Sequence, residues 1–160
     1  GQQNPPLRSY NERQALLKVL DKIQIFVTDH APHTLNENRA GISGMPQAST
    51  AGQLYLEQVS YGRISLEDFI QKRSFVPGDI LYERFGLKIG RFDSGYDASF
   101  TLLSLGKPSR IRQSEVLSKC AWTPYQAFPF LNTIEGVVIQ GTLYTQAALQ
   151  TLRPNPVCLK

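Results

Sequence analysis

The segment "IQIFVTDHAPHTLNEN", residues 23–38, decides how this chain is read. Ile23, Ile25, Phe26 and Val27 form a short, largely apolar run rich in β-branched side chains. The run closes at Thr28 and is followed at once by Asp29, then by His30 and His33 on either side of Ala31-Pro32. Such a run suits a strand covered on both faces, as in a parallel α/β sheet. In barrels and open α/β sheets the chemistry sits at the carboxyl ends of parallel strands, so Asp29 stands where catalytic groups are found. An acid after a strand also commonly starts a turn or caps a helix, and position alone leaves both readings open. Pro32 excludes a regular helical pair of histidine ligands; one histidine bonded to backbone and one facing the loop is the plainer arrangement.

Working outward, "NPPLR" (residues 4–8) cannot be helical, because its two prolines remove donors and fix φ. Ser9 with Glu12 is a capping-box signature, and Ala15, Leu16, Val19 and Leu20 recur on one face, so a helix is expected over about 10–21. Helix followed by buried strand is the αβ half of a repeating unit. Residues 29–50 are rich in Gly, Pro, Ser, Thr and Asn and read as a long loop, a feature that is often functional. Within it, "GISGMP" (41–46) would let backbone approach a ligand closely, although two loop glycines more commonly mark turns. Helices are expected at about 50–60, 65–73 (with Ser65 and Asp68 as cap) and 77–85.

After Gly86 the period changes. "YDASFTLLSL" and "EGVVIQGTLY" read as strands, with glycines 86, 90 and 95 marking the change of direction, and a short helix is expected at about 113–119. "SKCAWTPYQAF" (118–128) holds the single Trp of the chain, which by itself reads as packing. The expected organisation is α/β over residues 1–88 and mainly β over 89–160. One strand fit for a parallel sheet cannot build a sheet or barrel, and the chain opens "GQQNPPLRSY" without methionine. The expectation is a sequence entered part-way through a larger protein, with the remainder of the domain supplied from elsewhere.

Bulk properties narrow the function. Over 160 residues, 41% apolar and 19% charged content describes a globular chain. No apolar run approaches the roughly 18 residues needed for a membrane span. The net charge of +4 is spread thinly, without a basic run, which argues against nucleic acid as partner. Two cysteines, Cys120 and Cys158, do not make a disulfide framework and fit a reduced, cytoplasmic setting.

Taken together, "NPPLR", "TDHAPHT", "GISG", "GYDASFTLL" and "SKCAWTPYQAF" occur in the order found in dihydroorotases, and from Asn4 to about Tyr144 the chain resembles that family of the metal-dependent amidohydrolase superfamily. The resemblance implies the carboxyl-terminal part of a TIM-type (β/α)8 barrel, with residues 23–28 as its eighth strand, followed by strands of a small β-sandwich unit. It implies zinc-dependent, reversible hydrolysis of the cyclic amide of dihydroorotate to N-carbamoyl-aspartate, in pyrimidine biosynthesis. By the same resemblance Asp29 binds one metal of a centre of one or two zinc ions, takes a proton from the bound water and passes it to the ring nitrogen. A metal ion lowers the pKa of its water towards about 7, and a neighbouring carboxylate can then shuttle the proton.

His33 matches the contact to the substrate carboxylate, Ala40 and Gly41 the backbone contacts of the following loop, and Asn4 the contact to the pyrimidine ring; His30 matches a variable position. The chain departs from the family at "NEN" (36–38), at "SGMP" (43–46), in "DASFTLLSL", which lacks the second and closing aspartates, and at Ala121, where glycine is usual. The remaining metal ligands of the family precede "NPPLR" and are outside these residues. The chain alone is therefore expected to be inactive, with the rest of the barrel as partner, a small molecule as substrate and room for a homodimer. A second reading is a non-catalytic dihydroorotase-like structural partner of another enzyme.

Overall fold

In the computed structural model residues 3–145 and 148 are described; Cys158 lies outside them. Helix α1 (Tyr10–Leu17) starts where the sequence places it. The Ser9 hydroxyl accepts from the Glu12 amide while the Glu12 carboxylate accepts from the Ser9 amide, closing the capping box. The helix stops earlier than expected and gives way to a 3-10 turn, Leu20–Lys22. Leu16 and Val19 are exposed, and the core is reached instead through Leu17 and Leu20.

Residues 23–28 do not form a strand, which corrects the expectation from their composition. The reason is the absence of a neighbour: all the described strands lie at residue 100 and beyond, and those pair only with one another. The segment is nevertheless fixed. Phe26 is buried, with its ring stacked on Tyr55 at 4.5 Å and nearly parallel, a burial contributing about 1.5–3 kcal/mol. The Tyr55 hydroxyl donates to the Val27 carbonyl. The Phe26 amide donates to the Lys72 carbonyl at 2.9 Å, and the Lys72 ammonium donates to the carbonyls of Asp21 (3.1 Å) and Ile23 (2.5 Å).

Lys72 can do this because of an irregular helix. Helix α2 (Leu35–Arg39) and α3 (Ala48–Ser60) precede α4 (Leu66–Ile70), and α4 runs through a π turn, Gln71–Phe75, into α5 (Val76–Phe85). The two helices expected at 65–73 and 77–85 are thus one continuous rod. In the π turn the Val76 amide bonds back to the Gln71 carbonyl. The next donor in that register is residue 77, a proline without an N–H, so the Lys72 carbonyl is left open and receives Phe26. Leu20, Phe26, Leu56, Ile64 and Phe69 form the buried core under this rod.

The strands among the described residues all lie between Phe100 and Thr145. Strands β1 (Phe100–Ser104), β4 (Thr133–Ile139) and β5 (Thr142–Thr145) make one antiparallel sheet in the order β1-β4-β5, and β2 (Ser109–Arg110) pairs with β3 (Pro129–Phe130). The helix expected at 113–119 is only a 3-10 turn, Gln113–Glu115. A buried polar cluster ties α3 to this β part. The Glu57 carboxylate accepts from the Leu131 amide (2.8 Å) and the Asn132 side chain (3.1 Å), and the Asn132 carboxamide also donates to the Ser60 hydroxyl and accepts from the Gly106 amide.

Candidate active site

Asp29 follows directly on the anchored segment. Its φ of 46° lies in the left-handed region, which an aspartate tolerates better than most residues. The side chain is exposed, and its carboxylate makes no hydrogen bond or ion pair among the described residues. The carboxylate is thus presented at the end of a fixed segment with its lone pairs available.

The next residues divide their work. His30 points back to the fold: its Nδ1 accepts from the amides of Gln47 (3.0 Å) and Ala48 (3.1 Å), at the start of α3. Gln47, the cap residue of that helix, makes no side-chain cap of its own, so His30 supplies the cap from 17 residues away. His33 is half-buried and leaves its imidazole 3.9 Å from the Glu37 carboxylate.

What the sequence presents as one long loop contains α2. Thr34 and Glu37 form its capping box: the Glu37 carboxylate accepts from the Thr34 amide and hydroxyl at 2.8 Å each, and the Thr34 hydroxyl accepts from the Glu37 amide. Those bonds from Thr34, backbone first and side chain second, hold the Glu37 carboxyl below its ordinary value. The "T-x-x-E" pattern of residues 34–37 carried this signal in the sequence. The helix closes at Ala40 and Gly41 with two bonds, Gly41 amide to Asn38 carbonyl and Ile42 amide to Glu37 carbonyl, and Gly41 adopts φ 103°, as such an ending needs. The Ala40 and Gly41 amides are both engaged in these helix-ending bonds.

"GISG" then folds back on the histidine loop. The buried Asn38 side chain donates to the carbonyls of Ile42 (3.1 Å) and Gly44 (3.0 Å). Gly44 sits so close that a Cβ there would stand 2.5 Å from the Ala31 carbonyl oxygen and 3.0 Å from the His33 ring. From the far end of the sequence, the Trp122 indole N–H donates to the His33 carbonyl at 2.8 Å. Trp122 also walls a cleft of about 480 Å³ beside Leu35, Arg39 and Met45. His33, Gly44 and Trp122 are therefore brought together, whereas Asn4, exposed before a cis Asn4–Pro5 bond, has no hydrogen bond to any of them.

Among the described residues, no group of three or more His, Cys, Asp or Glu side chains could hold a metal ion. A catalytic zinc normally takes about three protein ligands. Asp29 fits as one ligand of such a set, and the described residues do not make a metal centre by themselves.

No family model matches this chain. Individual relatives do. The chain is 36% identical to the dihydroorotase of Pyrococcus furiosus over 137 residues, covering 86% of this chain and 32% of that protein. It is 37% identical over 143 residues to the dihydroorotase of Methanothermobacter thermautotrophicus, again covering 86% of this chain and 32% of the relative. The chain is a relative of the dihydroorotases. It spans about a third of the length of the dihydroorotases it matches. In fold, it superposes on an L-hydantoinase (dihydropyrimidinase) from Arthrobacter aurescens with a TM-score of 0.78 at 23% identity, over 89% of this chain and 33% of that one. A dihydropyrimidinase from Brevibacillus agri gives a TM-score of 0.75 at 18% identity, over 92% and 34%. The fold is part of the amidohydrolase kind built on a TIM-type barrel, and this dihydroorotase relative shares it with enzymes whose names differ from those of its sequence relatives. No helix among its described residues is long and apolar enough to cross a membrane.

Proposed function

We propose that the full-length protein carrying these residues is a dihydroorotase. It hydrolyses the cyclic amide of dihydroorotate, reversibly, to N-carbamoyl-aspartate in pyrimidine biosynthesis in the cytoplasm. Residues 1–88 are its last barrel elements and 89–160 its carboxyl-terminal β unit and tail. The observation that carries this reading is the pairing of dihydroorotase sequence similarity with an Asp29 carboxylate held out, without a partner among the described residues, at the end of a fixed segment. A zinc centre, when bound, supplies an activated water and polarises the amide carbonyl.

This chain's own groups do the rest. Asp29 is one ligand and the proton carrier: it takes a proton from the attacking water and returns it to the departing ring nitrogen. His33 receives the substrate carboxylate, backbone of the Ala40–Gly41 turn lies along it, and Asn4 meets the pyrimidine ring. The other ligands come from the rest of the barrel, so these 160 residues alone are inactive. The exposed apolar side chains of Ile25 and Val27 support packing of the rest of the barrel against this segment.

The alternative, a non-catalytic partner of another enzyme, has less support, because such a scaffold needs neither a free Asp29 carboxylate nor a clamped His33 loop. Turnover of dihydroorotate by the full-length, zinc-loaded protein tests the proposal, and a well-folded, metal-replete protein with no such turnover would overturn it.

A further inference from the structure

The His33–Thr34 peptide is held on both sides. Its carbonyl oxygen accepts from the Trp122 indole at 2.8 Å, and its amide donates to the Glu37 carboxylate at 2.8 Å. A peptide unit fixed at both its polar ends cannot turn about its own axis, so the ψ angle of His33 and the ψ-coupled rotamer of its ring are set together. On the other flank, Gly44 closes against Ala31 and the His33 ring, and Asn38 holds Gly44 in place. Of these restraints, only the indole bond comes from the 89–160 part of the chain, 89 residues away.

The segment that presents Trp122 is itself fixed. The Ala121 amide bonds to the Ser118 carbonyl, the Ala121 carbonyl accepts from the Gln113 side chain, and Ala121 turns through φ 53°. Thr123, next in sequence, is buried, with its hydroxyl accepting from the Tyr125 amide. The indole is thus a rigid donor and not a loose surface ring.

We infer that Trp122 is a positioning residue for His33, setting through the His33 carbonyl how firmly the imidazole grips an anionic substrate group. The inference rests on the dihydroorotase reading above. It assigns the β part a direct influence on substrate affinity without a catalytic group of its own. Trp122 acts through the His33 carbonyl, so its effect falls on binding rather than on the chemical step.

The test uses the full-length, zinc-loaded protein. Trp122→Phe keeps an aromatic ring and removes the N–H. A lost hydrogen bond of ordinary strength corresponds to a change of about 2- to 12-fold in an equilibrium. KM for dihydroorotate should therefore rise by about that factor, with kcat within about twofold of wild type and bound zinc unchanged. In a His33→Ala background the same substitution should change KM by much less, because the group it positions is gone. If Trp122→Phe fails to fold, Glu37→Ala releases the amide side of the same peptide and should give the same pattern. An unchanged KM in the variant, or an equal rise with and without His33, overturns the inference while leaving the dihydroorotase reading intact. Absence of turnover in the wild-type protein overturns both.

Discussion

The Phe26 amide donates to the carbonyl of Lys72 at 2.9 Å, and this bond exists because Pro77 cannot. A single π turn, Gln71–Phe75, opens the carbonyl, while the ammonium of the same lysine reaches back to the carbonyls of Asp21 and Ile23. One residue thus clamps the segment that delivers Asp29 from both its backbone and its side chain.

Removing the ammonium should loosen that segment. Lys72→Met keeps the aliphatic stem and leaves two carbonyls without their charged donor, in a buried setting. Hydrogen bonds to charged groups contribute about 1.5–3 kcal/mol, and a loss of stability in that range is expected from denaturant unfolding of the full-length protein. A change below about 0.5 kcal/mol would mean that the clamp is incidental.

His30 and His33 should separate cleanly. His30→Ala removes the acceptor for the Gln47 and Ala48 amides at the start of α3, at a cost of about 0.5–2 kcal/mol, the range for a helix cap. Its KM and zinc content should stay at wild type. His33→Ala should do the reverse, raising KM with zinc content and melting temperature little changed. Steady-state kinetics, metal analysis and a thermal melt on both variants decide it.

The capping box of α2 should respond to acid. Thr34 lowers the Glu37 carboxyl below its ordinary 4.5, so the folded form favours the carboxylate. The stabilisation is complete above about pH 4.5 and fades as pH falls through the lowered folded value. Amide exchange at Thr34, corrected for its intrinsic rate, should show constant protection above that pH and a progressive loss below it. In Glu37→Gln the dependence should vanish from this region.

Much of this arrangement was legible in the residues. Ser9 with Glu12 and Ser65 with Asp68 announced two helices because a cap is a local chemical event. Thr34 with Glu37 announced a third, and the reading of 29–50 as loop missed it, since Pro32 and the glycines of "GISG" dominate the composition around one short helix. The apolar run 23–28 signals a strand by what its side chains need; it cannot show whether a neighbouring strand is present, and among the described residues none is. The clamps were legible only in part: one histidine bonded to backbone is the plainer arrangement in the sequence, and His30 is that one, though its partners at the start of α3 are not named there. Lys72 looks like a surface charge and Trp122 like packing, because each acts through a backbone group between 49 and 89 residues away.

The central claim is that Asp29 carries the proton in dihydroorotate hydrolysis, and turnover by Asp29→Asn in the full-length, zinc-loaded protein tests it most directly. Asparagine keeps the shape at the end of the segment, so folding should survive. It accepts no proton as a carboxylate does and is a poorer ligand for zinc. Loss of general acid–base catalysis alone costs about 10²- to 10⁴-fold, and kcat is expected to fall at least that far beside an active wild type. An Asp29→Asn protein that kept more than about a tenth of wild-type turnover, well short of the smallest of those losses, would contradict the account.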